Sequence, residues 1–251
     1  MPKRLSSGAA IEVFEDLDST NSEARRRAKT GARAPLWIVA LRQTAGYGRR
    51  ARAWTQAEGD LAATLLLEPG RKLAEAGQLS FVAALAVAET IRAFAPRAPL
   101  SLKWPNDVLL DGGKIAGILP ELLDVPSGRM IALGIGLNVV SKPADAAYKT
   151  ARLIDALAGG APPKPRALVE ILDAKFAAWR DIWMKEGFAP ARAAWLERAA
   201  GQGERILVRL PGNEIEGVFE DIDADGGMVL KTADSRRVVA AGEVFFTRRR
   251  A

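Results

Sequence analysis

The chain has 251 residues, enough for one domain of ordinary size and a small second one. It contains no cysteine and no histidine, which excludes disulfides, thiolate nucleophiles, imidazole metal ligands and the commonest general base. Chemistry must rest on lysine, arginine, carboxylates, hydroxyls and backbone groups, and a formal charge of +6 fits either anionic ligands or a solvated cationic surface.

Met1-Pro-Lys-Arg-Leu5 lacks the apolar segment and cleavage site of a signal peptide, so a cytoplasmic protein is expected. Ile11 to Phe14 alternates as a strand does, and Asp18-Ser-Thr-Asn21 then offers helix caps before a polar helix through Ala28. Leu36 to Leu41 is an apolar run of strand length. It leads into Arg42-Gln-Thr-Ala-Gly-Tyr-Gly-Arg-Arg-Ala-Arg-Ala-Trp54, a segment too polar for a core. Its glycines allow close backbone approach to a ligand, and arginine is the side chain best matched to phosphate oxygens. Leu61 to Leu67 reads as the next strand.

Gln78 to Ala95 reads as a long apolar helix buried against a sheet. Glu89 and Arg92 interrupt it short of the roughly 18 apolar residues of a membrane span, so no membrane association is expected. Strands are expected at Leu100–Trp104, Lys114–Leu123 and Met130–Val139, with a turn at Asp111-Gly-Gly113. Pro162-Pro-Lys-Pro165 precedes helices at about Ala167–Lys185 and Ala189–Arg198. From Gly203 the pattern changes to short alternating strands, Ile206–Leu210, Ile215–Ile222, Met228–Thr232, Arg237–Ala240 and Val244–Thr247, as in a small β-barrel of the SH3-like kind. The boundary is placed near Ala200, dividing the chain into residues 1–200 and 201–251.

Three further segments could carry chemistry. In Lys103-Trp-Pro-Asn-Asp107, Pro105 stops a central strand from continuing, so Asn106 and Asp107 project into a loop or form an ordinary turn. In Lys114-Ile-Ala-Gly-Ile-Leu119, the lysine is either a snorkelling edge residue or a cation at the rim of a pocket, and Gly117 marks a close approach. In Gly134-Ile-Gly-Leu-Asn138, two side chains are missing from one strand face, leaving room for a helix or a flat ligand.

Taken together and in this order, the five motifs resemble those of biotin protein ligases. The resemblance covers about residues 12 to 140 by motif, and the C-terminal β domain agrees with it. It implies an α+β fold: a mixed sheet with helices on one side, followed by the SH3-like barrel. It also implies a two-step reaction in which biotin and ATP give biotinyl-5′-AMP and pyrophosphate, after which a lysine of a biotin carboxyl carrier protein displaces AMP. ATP, biotin and Mg²⁺ are the expected small molecules, with Mg²⁺ carried largely by phosphate oxygens and no dedicated metal site.

The same resemblance implies roles for individual residues. Ser19, Thr20 and Gln43 would meet the ureido ring, with Gly46, Tyr47, Gly117 and Gly136 completing the biotin pocket. Arg49 and Lys114 would bridge the biotin carboxylate and the α-phosphate as charge develops. Arg50 and Arg52 would hold the triphosphate and Trp54 would stack on adenine, with Lys103, Asn106 and Asn138 also on the nucleotide side. Asp107 would orient or deprotonate the acceptor lysine, or else fix Lys114 or Lys103.

Two positions depart from the family's loop. Tyr47 stands where arginine is usual, and Ala51 where glycine is common. About ten residues precede the first strand, too few for a helix-turn-helix domain, so no DNA partner is expected; a homodimer is compatible with the family. The competing readings are a lipoate or octanoate ligase of the same fold and a basic nucleic-acid-binding protein. The charge and Arg248-Arg-Arg250 permit the latter, although no interleaving of aromatic and basic residues is visible.

Overall fold

The computed structural model describes residues 4–126, 128–144 and 146–246. The N-terminal part runs β1 (Ala10–Leu17), α1 (Thr20–Lys29), β2 (Leu36–Gln43), β3 (Leu61–Leu67), α2 (Leu79–Phe94), β4 (Leu100–Lys103), β5 (Asp107–Leu110), β6 (Gly113–Val125), β7 (Gly128–Leu137), α3 (Pro165–Glu186) and α4 (Ala189–Leu196). The strands form one sheet in the order β1-β2-β3-β7-β6-β5-β4. β1 and β2 are parallel and the other pairs antiparallel, so the sheet is mixed, as expected.

Alternation along the strands divides the core between two faces. Trp37, Val39, Ala63 and Leu65 face the large cluster that contains α2 and α3. Leu36, Ile38 and Leu66 face a smaller one with Ala24 and Ala28 of α1. Helices therefore cover both faces rather than one. The short, polar α1 carries too small an apolar stripe to announce its own side. The hairpin strand β5 was also not expected: Pro105 does end β4, but the chain turns through it and pairs Lys103 with Asp107.

The stretch Leu73–Phe94, a 3-10 turn joined to α2, is by length and composition long and apolar enough to cross a membrane. That corrects the reading from the interrupted run alone. Most of it is buried inside the protein, between the sheet, α3 and α4, as a core helix. Polar groups buried beside it find partners: Trp183 Nε1 donates to Gln78 at 2.7 Å and Trp37 Nε1 to Asp173 at 2.9 Å.

The C-terminal strands are β8 (Arg205–Leu210), β9 (Asn213–Ile222), β10 (Met228–Lys231), β11 (Arg236–Val239) and β12 (Glu243–Phe246). They form a five-stranded antiparallel sheet, β11-β10-β9-β8-β12. Thr247 and Arg248-Arg-Arg250 lie outside the described residues. This sheet is docked on the first part through a continuous core. Phe81 of α2 meets Phe188 and Trp195 edge-on at 5.2 and 5.3 Å. Trp104 Nε1 donates to the Gly226 carbonyl at 3.0 Å. Gly226 has φ +90°, and a Cβ there would stand 2.9 Å from the Phe81 ring, so both its conformation and its contact require glycine. The docking carries β12 to the edge of a cavity in the first sheet.

Candidate active site

Gly117 of β6 is paired with Gly136 of β7, and Gly134 lies two residues along the same face. This is the face covered by α1, so the glycines strip the sheet where the helix ends. A methyl group at Gly134 would run into the Asn21 amide, and one at Gly136 into the Trp54 indole; at Gly117 it would stand 3.2 Å from the same ring. Above this shelf opens a cavity of about 920 Å³.

One end of the cavity is polar and closely hydrogen-bonded. Ser19 stands at the N-cap of α1, yet its hydroxyl makes no capping bond, so the capping role considered for it is not taken up. Thr20 N–H donates to Gln43 Oε1 at 2.8 Å, and its hydroxyl reaches the same oxygen at 3.2 Å. The Thr64 hydroxyl lies 2.8 Å from Thr20 Oγ1 and 2.6 Å from Asn21 Oδ1. Asn21 Nδ2 in turn donates to Glu121 at 2.7 Å. The α1 N-terminus is fixed from outside by Asp18, whose carboxyl is held down to about 2 by its hydrogen bonds from Arg26.

The loop after β2 folds back over this end. Trp54 N–H donates to the Gly46 carbonyl at 2.9 Å and Gly48 N–H to Arg52 at 2.8 Å, with a bridge between Tyr47 and Ala53. A Cβ at Gly46 would stand 2.7 Å from the Trp54 carbonyl and 2.6 Å from Gln43 Nε2, so this turn also needs its glycine. At the tip, Arg50 and Ala51 adopt φ of +57° and +55°. A non-glycine residue there costs roughly 1 kcal/mol or more, which is the physical content of the missing glycine at 51. The Tyr47 hydroxyl donates to Glu121 at 2.9 Å, and burial, reinforced by that bond, pushes its phenol pKa up.

The other end gathers the cations. Lys114 Nζ pairs with Asp107 at 2.6 Å and lies between the rings of Trp54 and Tyr148, at 5.8 and 5.7 Å. Lys103 is half-buried and stands 5.4 Å from the Phe246 ring; its partial burial lowers its pKa, opposed by Asp107. Arg49 donates to Asn106 Oδ1 and to the Gly242 carbonyl, both at 3.3 Å, and burial lowers its basicity too. Arg50 pairs with Glu243 at 3.6 Å and Arg52 with the same carboxylate, which Arg52 holds below the usual range.

Most of the residues singled out from the sequence therefore line one cavity: Ser19, Thr20, Gln43, Tyr47, Arg49, Arg50, Arg52, Trp54, Lys103, Asn106, Asp107, Lys114, Gly117 and Gly136. Gly46 stands behind its wall. Asn138 is not brought to it: the residue is 3% exposed and donates to the carbonyls of Ala151 and Lys114 at 3.0 and 3.4 Å, so it fixes the backbone behind Lys114. Asn106 contributes mainly by placing Arg49, since its Nδ2 donates to the Ile118 carbonyl at 2.7 Å. Trp54 lies flat on the glycine shelf instead of standing free.

Sequence reasoning missed Tyr148, 49% exposed at the cavity mouth, because it sits in an aperiodic segment that reaches Lys114 only through a bridge at Thr150. It also missed Glu121, farther along β6 itself, and Arg209, Glu243 and Phe245, which come from strands distant in sequence. Among the described residues no group of three or more acidic side chains could hold a metal ion.

Residues 13–138 match the Biotin/lipoate A/B protein ligase family, and residues 202–247 match the Biotin protein ligase C terminal domain. The chain belongs to the biotin/lipoate A/B protein ligase family. It is 43% identical to the biotin–[acetyl-CoA-carboxylase] ligase of Paracoccus denitrificans, over 91% of this chain and 97% of that protein. It is 34% identical to the enzyme of the same name from Mycobacterium tuberculosis, over 95% and 89%. Its fold is similar to that of the biotin protein ligase from Aquifex aeolicus in complex with biotin and ATP, with a TM-score of 0.79 and 26% identity over 94% and 97% of the two chains.

Proposed function

We propose that this protein activates biotin with ATP as biotinyl-5′-AMP and transfers the biotinyl group to a lysine of the biotin carboxyl carrier component of acetyl-CoA carboxylase. The observation that carries the reading is a single cavity with a hydroxyl-and-amide end, a flat floor and a cluster of cations. The ureido ring, one acceptor and two donors, suits Ser19, Thr20 and Gln43. The fused rings and valeryl chain pack beside Trp54, whose indole covers Gly117 and Gly136, and this directs the carboxylate toward Arg49 and Lys114.

A biotin carboxylate oxygen then attacks the α-phosphorus, and the bond to pyrophosphate breaks. Arg49 and Lys114 hold two anions within reach of one another and offset the negative charge of the transition state. Arg50 and Arg52 exchange Glu243 for phosphate oxygens. Mg²⁺ enters with ATP as part of the substrate, since Asp107 and Glu243 already face cations. With Trp54 on the shelf, Tyr148 is the ring open to the nucleobase. The acceptor amine next attacks the acyl carbon; an amide forms, AMP leaves and a proton is released. Asp107, paired with Lys114, orients that lysine and stands as the nearest carboxylate for the proton. Residues 1–200 form the catalytic domain, and 201–251 a β domain whose β12 borders the nucleotide end.

The family includes lipoate ligases; the C-terminal domain match supports biotin. Labelled biotin with Mg-ATP is expected to label a purified carrier domain, through an adenylate that can be isolated. Labelling by lipoate and not by biotin would overturn the substrate.

A further inference from the structure

The Tyr47 side chain occupies a position that the resemblance fills with arginine, and its contacts are different in kind from those of the loop's other polar groups. Arg49, Arg50 and Arg52 all reach toward β12 or the turn before it. Tyr47 reaches the opposite way, to Glu121 on the glycine-bearing face of β6. The same carboxylate is steadied by Asn21 at 2.7 Å and by Arg25 at 3.3 Å. Glu121 is thus a fixed post, braced by α1 and by a strand in the middle of the sheet.

We propose that Tyr47 is a positioning residue which latches the Gly46–Trp54 loop closed over the cavity through the hydrogen bond that its hydroxyl donates to Glu121. The proposal rests on the reading of this cavity as the adenylation site. Three observations support it. The loop stem is closed, with Trp54 bonded to Gly46 and Gly48 to Arg52. The indole lies on the glycine shelf. The latch is also wired to the polar end of the cavity, since Asn21 joins Glu121 to Thr64, Thr64 reaches Thr20, and Thr20 meets Gln43.

A phenol differs from a guanidinium in a useful way. It holds the loop without charge and leaves the arginines free to exchange Glu243 for the triphosphate. With its pKa pushed upward, the phenol keeps its proton through the neutral range. The consequence is a loop that opens rarely and so retains biotinyl-5′-AMP once it has formed.

The test uses the full-length protein without ligands. Arg49, Arg50 and Arg52 are trypsin sites within the loop, and their cleavage reports its opening. Y47F removes the hydrogen bond to the carboxylate, and E121Q removes the charge that Tyr47, Asn21 and Arg25 share; each should speed cleavage about tenfold. Cleavage at Arg236 in the barrel serves as the control for global unfolding and should not change. Release of radiolabelled biotinyl-5′-AMP should accelerate by a similar factor. The double variant should be no faster than the faster single one, because both act on the bond between Tyr47 and Glu121. Wild-type loop cleavage and adenylate release in Y47F and E121Q, or effects that simply add, would overturn the latch. Failure of the wild-type protein to form an adenylate would instead sink the functional reading, while the trypsin comparison still decides the latch.

Discussion

Gly117, Gly134 and Gly136 sit in strands paired on both sides, with Gly136 paired to Ala62 and to Gly117. Arg49, Arg50 and Arg52 sit in a loop tied to its surroundings by side chains and single carbonyls. The first region is shaped by what it lacks, and its form cannot change without breaking a sheet. In the second, Arg50 and Arg52 are held by ion pairs with Glu243, which a phosphate can replace. A binding floor benefits from the first arrangement and a reacting charge cluster from the second. Exposed ion pairs stabilise by only about 0–1 kcal/mol each, so exchanging them for a ligand costs little.

This contrast is open to a graded set of measurements. The largest effect should come from removing the cations that face the reacting groups. Arg49→Ala or Lys114→Ala is expected to slow adenylate formation by about a hundredfold to a thousandfold each, read as biotin-dependent pyrophosphate release. Wild-type rates in both variants would dissolve the distinction between floor and cluster.

Next in size is the floor. Gly136→Ala puts a methyl group into the Trp54 indole, and overpacking of about 1–3 kcal/mol should weaken biotin binding roughly tenfold to a hundredfold by calorimetry. Unchanged affinity would mean that the indole seated on the shelf does not touch the ligand.

Lys103 gives a smaller effect with a definite sign. Burial lowers its folded pKa from the ordinary 10.5, so in the window between the two values the unfolded chain binds more protons. Its contribution to stability therefore rises with pH across that window. Denaturant unfolding of wild type and Lys103→Met should show wild type gaining on the variant as pH climbs toward 10.5; a flat difference would contradict the burial.

The smallest change belongs to the exchangeable ties. Glu243→Gln should lower stability by less than about 1 kcal/mol, seen as a small drop in Tm, because the partner Arg52 is half-exposed. A large loss would show that the loop is held as firmly as the floor.

The two regions also differed in how much of them the sequence disclosed. The floor and the cations were legible because they come in compact runs with strong local signals: Gly46-Tyr-Gly-Arg49, Lys114 to Gly117 and Gly134 to Gly136. The strands that carry them were found from apolar runs within a few residues of their ends. What escaped were the partners supplied by folding. Glu121, Tyr148 and Glu243 are a carboxylate on a long strand, a tyrosine in an aperiodic loop and an acid in a barrel strand. None has a signal within its own neighbourhood. Asn138 shows the reverse. It looked like a ligand group because it ends a glycine-rich strand, yet the chain that returns through Ala151 buries it. The side of the sheet that α1 covers was likewise hidden, since a mostly polar helix gives no sign of which face it will take.

The central claim is that this cavity places a biotin carboxylate against the α-phosphate of ATP. The most direct measurement incubates the purified protein with α-labelled ATP, Mg²⁺ and either biotin or lipoate, without an acceptor, and separates the nucleotides. The predicted result is a labelled biotinyl-5′-AMP that appears with biotin, is missing in Lys114→Ala, and is consumed when carrier domain is added. An adenylate formed with lipoate alone, or none with biotin, would contradict the account.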